Sequence, residues 1–99
     1  MYLIREVMHC KPGKVRELVD KFKALSEVAE SMGYPGFRLY TDVSGEPFWT
    51  LVAESESETL DAFREAEEAI MANDDARAAM AGYHELVQDG HREIYRVET

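Results

Sequence analysis

The sequence predicts an α+β fold with the element order β-α-β-β-(α-α)-β. This is the split β-α-β arrangement, a four-stranded antiparallel sheet carrying all its helices on one face. Three observations predict it. A strand-like opening, "YLIREVMHC", is cut by "KPGK", after which the apolar period becomes helical. Two further strand-like runs flank the short turn "VSGEP" in mid-chain. Finally, "HREIYRVE" closes the chain as a strand after two helical segments.

The elements follow in order. Leu3, Ile4, Val7 and Met8 make Tyr2 to Cys10 a strand, and Pro12 and Gly13 end it, since proline donates nothing to a ladder and glycine permits a sharp turn. From Lys14, Val15, Leu18, Val19, Phe22, Leu25, Ala29 and Met32 recur at helical spacing, with Gly33 placed as the terminating glycine and Pro35 beyond it. "GFRLYTD" alternates Phe37, Leu39 and Thr41 against Arg38, Tyr40 and Asp42. "EPFWTLVAES" returns as the other arm of a hairpin. Ser55 and Glu58 have capping-box spacing and are expected to open a helix with the inner stripe Leu60, Phe63, Ala66 and Ile70. Asn73 or Asp74 caps a last helix bearing Ala76, Ala79, Met80, Tyr83 and Val87, which Gly90 is expected to end.

Composition narrows the function classes. Ninety-nine residues suit one domain, 1–99, with limited capacity to bury its own surface. Eleven basic against twenty acidic residues give a net charge of −9, with the basic residues scattered, which argues against nucleic acid or an anionic membrane as partner. Cys10 is the only cysteine, so no intrachain disulfide forms. No apolar run approaches the ~20 residues of a membrane helix, and the opening lacks the layout of a signal peptide. A cytoplasmic location is expected.

The third strand raises a question of cover. Phe48, Thr50 and Val52 point one way and Trp49, Leu51 and Ala53 the other, and neither set is polar enough for water. Trp49, Leu51 and Ala53 are expected beneath the helices, leaving Phe48, Thr50 and Val52 on the helix-free side. Four strands of about five residues present roughly 300 Å² in projection, a large patch for a monomer to leave wet. A second copy related by a two-fold axis is the economical cover, so a homodimer with sheets face to face is expected.

"YLIREV", "KPGK" and an amphipathic helix resemble the opening of NIPSNAP-like members of the dimeric α/β-barrel superfamily, which is ferredoxin-like in fold. Arg5, Pro12, Gly13 and Lys14 map onto that opening, and "FWTLVAESESETLDAF" and "GHREIYRV" are similar to later segments. The resemblance covers essentially the whole chain in element order, through short motifs. It implies a dimeric α/β barrel and a superfamily that includes antibiotic-biosynthesis monooxygenases needing no cofactor, haem-degrading enzymes and members without known activity. The chain departs from those branches where their site often has a histidine early in the second helix, since "TLDAFREA" carries Phe63 and no histidine. The tryptophan common in the preceding strand is also missing, with Glu54 in roughly its place. Haem ligation is thus not supported, and no cofactor is expected.

Candidate chemistry is sparse. His9, His84 and His91 lack metal-ligand spacing, and His9 and Cys10 face opposite ways on a strand, so no metal site is expected. His9 ends the first strand and His91 begins the fourth. If these strands are neighbours, as the resemblance implies, the pair approach at a barrel rim, either for proton transfer or as solvated strand-end residues. Arg5, Arg38 and Tyr40 lie mid-strand, with Arg38 and Tyr40 toward the dimer side. There an arginine either pairs with Glu54, Asp42 or Glu93 or meets a small carbonyl or carboxylate ligand. Arg5, His9, Arg38, Tyr40 and His91 are the candidate ligand-binding set, and no catalytic residue is assigned. Tyr83 and Met80 read as core, and "EAEEA" as a solvated helix face. The expected function is a small homodimeric barrel binding an apolar or aromatic molecule, between sheet and helices or in the barrel lumen. The alternative is a cofactor-independent monooxygenase or isomerase acting on a small aromatic or polyketide-like compound.

Overall fold

The structure, a computed structural model, describes residues 1–99. In chain order the elements are β1 (Tyr2–Cys10), α1 (Val15–Ser31), β2 (Arg38–Thr41), β3 (Thr50–Ser57), α2 (Leu60–Met71), α3 (Asp74–Ala79), the single turn α4 (Tyr83–Leu86) and β4 (Val87–Arg96). The four strands form one sheet in the order β2-β3-β1-β4, each neighbour antiparallel. The α+β, ferredoxin-like arrangement expected from the sequence is therefore present. Its backbone measures 35 × 35 × 17 Å, a slab of one helical layer on one sheet.

Alternation along the strands sorts the two faces. Met8 and Cys10 of β1 and Leu51 and Ala53 of β3 meet Leu18, Val19 and Phe22 of α1 and Leu86 of α4 in the main core. Leu18 and Leu51 are fully excluded from solvent, each stabilising the fold by about 1.5–3 kcal/mol over an exposed side chain. A smaller cluster of Ala29, Ile70 and Ala76 joins α1, α2 and α3. Helix α1 ends as expected: Gly33 has φ +89° and Tyr34 N–H donates to Ala29 O at 3.0 Å. Asn73 caps α3, its side-chain oxygen accepting from Ala76 N–H at 3.0 Å.

Four local expectations are corrected. Strand β3 begins at Thr50, so Phe48 and Trp49 are not strand residues: Phe48 is 82% exposed and Trp49 42%, the latter with φ +69°. The cause is the loop. Asp42 accepts from Thr50 N–H at 2.8 Å and the Thr50 hydroxyl donates to Pro47 O at 2.6 Å, folding residues 46–49 into a turn that leaves Trp49 outside the core. Leu51 and Ala53 do lie beneath the helices.

The cap of α2 is Thr59, whose hydroxyl accepts from Ala62 N–H at 3.0 Å, while Ser55 lies within β3. Pairing with β1 carries β3 on to Ser57, opposite Tyr2, which displaces the helix start. The last helix breaks at Gly82, which has φ +84°, and β4 starts at Val87, so Gly90 is a strand residue. A Cβ on Gly90 would lie 2.7 Å from the Val7 carbonyl oxygen; close backbone approach, not helix termination, requires the glycine. Finally, only Ile70 of the α2 stripe is buried, and Leu60 is exposed. The helix stands off the sheet rather than lying on it.

Candidate functional site

The stand-off of α2 opens a cavity of about 910 Å³ between the helix-bearing face of the sheet and the helices. Ile4, Met8 and Ala53 form its floor, and Phe22, Leu25, Phe37, Phe63, Ile70 and Met80 much of its walls. Its polar side is a three-residue chain. Arg92 of β4 donates through Nε to Glu6 of the neighbouring strand β1 and through Nη2 to Glu67 of α2, with its guanidinium 5.0 Å from the Phe63 ring centroid. Burial disfavours the Arg92 charge, but the bonds to Glu67 and Glu6 outweigh it and raise the guanidinium pKa. Tyr83 and His84 stand edge-to-face at 5.3 Å in the same cavity. Burial, assisted by the Glu6 carboxylate, pushes the Tyr83 phenol up, so its hydroxyl stays a donor. Beneath, the Cys10 thiol is buried and likewise pushed up, which suppresses thiolate chemistry.

The helix-free face holds the five residues singled out from the sequence. Strand register lays Arg38, Glu54, Arg5 and Glu93 in one row across β2, β3, β1 and β4. Arg5 Nε lies 3.3 Å from Glu54 Oε2 and Nη1 3.6 Å from Glu93 Oε1; the Nε makes no aligned hydrogen bond, so that pair is Coulombic. Glu93 also accepts from His91 Nε2 at 2.8 Å and from Tyr95 Oη at 3.0 Å, which hold its carboxyl below the usual range. The adjacent row is Tyr40, Val52, Val7 and His91. Val7 is only 2% exposed although no helix covers this face. Arg5 and His9 flank it along β1, and Val52 and His91 stand beside it in register, so the centre of the face is drier and its rim more polar than the strand pattern implies.

His9 lies 2.5 Å from Asp89 through Nδ1 and 3.1 Å from Glu46 through Nε2, and the two carboxylates raise its pKa. Its ring is 6.3 Å from that of His91, the approach expected of neighbouring strand ends. Arg38 extends over Tyr40 at 5.8 Å and has no ion-pair partner. Of the five candidates, only His91 also borders the cavity; the others face away from it.

No known sequence-family profile matches the chain, and no curated protein does. Solved structures do. A NIPSNAP domain protein from Burkholderia xenovorans superposes with a TM-score of 0.79 at 14% identity, over 98% of this chain and 94% of that one. A NIPSNAP family protein of unknown function from Agrobacterium tumefaciens gives 0.81 at 14% identity, over 96% and 86%. The chain has the NIPSNAP-like, ferredoxin-like fold. The likeness extends to a putative antibiotic biosynthesis monooxygenase from Nitrosomonas europaea, with a TM-score of 0.70 at 14% identity over the whole of both chains.

Within this NIPSNAP-like fold the sequence reading overlooked Glu6, Glu67 and Arg92. Glu67 lies in "EAEEA" and reaches the cavity rather than only water. Glu6 and Arg92 are 86 residues apart and Glu67 and Arg92 25 apart, so no local spacing announces them. One signal was available: Glu6 sits between Ile4 and Met8 on the apolar phase of a strand. Tyr83 and Met80 pack against the core as expected and line the cavity as well. No group of three or more His, Cys, Asp and Glu side chains converges to hold a metal ion, and no helix is long and apolar enough to cross a membrane.

Proposed function

We propose that this chain is a two-fold homodimer that binds a small, largely apolar or aromatic molecule in the cavity between sheet and helices of each subunit. The single observation that carries the binding reading is that cavity. Its volume of about 910 Å³ lies within the range of small-molecule sites, and apolar walls with a few convergent polar groups are their usual make-up. The Glu6–Arg92–Glu67 chain and the Tyr83 hydroxyl supply those groups, so the expected ligand is an apolar body with one hydrogen-bonding end. Support for the dimer comes from the helix-free face, where no helix covers the sheet and the large side chains of Tyr40 and Tyr95 are exposed. On this reading Arg5, His9, Arg38, Tyr40 and His91 serve the contact between subunits rather than the ligand.

Native mass spectrometry of gently purified protein tests both parts. The expected spectrum is a dimer carrying up to one small molecule per subunit, and a Met80→Trp variant, which narrows the cavity, should lose most of that adduct while remaining dimeric. An apolar fluorescent dye should likewise bind the wild type and be lost from Met80→Trp. Protein that retains no adduct and takes up no dye would overturn the binding reading.

A further inference from the structure

Arg38, Glu54, Arg5 and Glu93 form a row of alternating charge across all four strands, and we infer that this row sets the two-fold axis of the dimer parallel to the strands. The inference rests on the dimer reading above. Two copies of one sheet that meet face to face are related by an axis lying in the plane between them. An axis across the strands and through this row lays it on its own unreversed copy, with arginine over arginine and carboxylate over carboxylate. An axis along the strands, passing between β3 and β1 at the centre of the sheet, reverses it. Arg38 then meets Glu93 of the partner subunit, and Arg5 meets Glu54 of the partner subunit, so all four contacts are attractive.

Two further features agree. Arg38 is the one charge in the row without an ion pair inside its own chain, and it lies on the edge strand β2, above the Tyr40 ring. A partner carboxylate completes it. The neighbouring row reverses just as well, with Tyr40 facing His91 of the partner subunit. The outermost row runs Asp42, Thr50, His9, Asp89, and reversal brings its terminal carboxylates together. Asp89 enters that contact already bonded to His9 Nδ1 of its own chain at 2.5 Å, which offsets part of the repulsion.

Charge reversal reads the row directly through the dimer dissociation constant. Arg38→Glu and Glu93→Arg should each weaken the dimer at least about tenfold, and the double variant in one chain should return to within about threefold of the wild type. A dimer indifferent to both single changes overturns the axis and leaves the dimer standing; a monomeric wild type overturns the dimer reading itself. Should a reversed chain fail to fold, single cysteines in a Cys10→Ala background replace it. With a short bismaleimide, Arg38→Cys should cross-link to Glu93→Cys in a mixture and neither to itself; self-cross-linking of Arg38→Cys overturns the proposal.

Discussion

At the scale of single residues, His9 carries the clearest pH dependence. Its bonds to Asp89 and Glu46 raise its pKa in the folded chain above the ordinary histidine value of about 6.5. A raised folded pKa means that the protonated form stabilises the fold. That contribution is complete below the unfolded pKa and is lost as pH rises through the folded one. Melting temperature should therefore fall by a few degrees between about pH 6 and pH 8.5, and His9→Gln should flatten that slope. Glu93 acts in the opposite window, because its depressed pKa removes stability only when pH drops well into the acid range. Trp49 belongs to this scale as well. As a bulky residue at positive φ it holds a conformation normally costing about 1–3 kcal/mol, sustained by the Asp42 and Pro47 bonds to Thr50. Alternation in the sequence assigned it to the core because nothing in the pattern reveals where a turn ends and its strand begins.

At the scale of elements, periodicity made strands and helices legible, while their ends depended on pairing partners that lie elsewhere in the chain. The cap on α2 shows this: Ser55 and Thr59 are both good caps, and the choice falls to β1, whose Tyr2 extends the ladder to Ser57. Thr59→Ala should cost about 1 kcal/mol, while the same change at Ser55 should leave α2 untouched; chemical denaturation with far-ultraviolet dichroism distinguishes them. Gly90 makes the same point for strands. With the Val7 carbonyl 2.7 Å from any added Cβ, Gly90→Ala should destabilise by about 1–3 kcal/mol, a drop of some 4–8 °C in melting temperature per kcal/mol.

At the scale of the whole molecule, the sequence exposed the one-sided slab and left open whether a ligand would sit between sheet and helices or in the barrel lumen. An amphipathic stripe such as Leu60, Phe63, Ala66 and Ile70 reads alike whether its helix lies on a sheet or stands away from it. Only the structure distinguishes the two, through an exposed Leu60 and the Arg92 bridge from β4 to α2. That bridge is the main polar tie across the opening, so Arg92→Met should free Glu67 and speed amide exchange in α2 over that in α1, measured by hydrogen–deuterium exchange.

The sheet order also governs how the molecule comes into being. β1 is central and hydrogen-bonds to both β3 and β4, with Tyr2 opposite Arg96. On the ribosome β1 is made before every other strand, yet one of its two flanks waits for the last. Closing such distant pairs is slow, and the nascent chain meanwhile offers an unfinished edge to its neighbours.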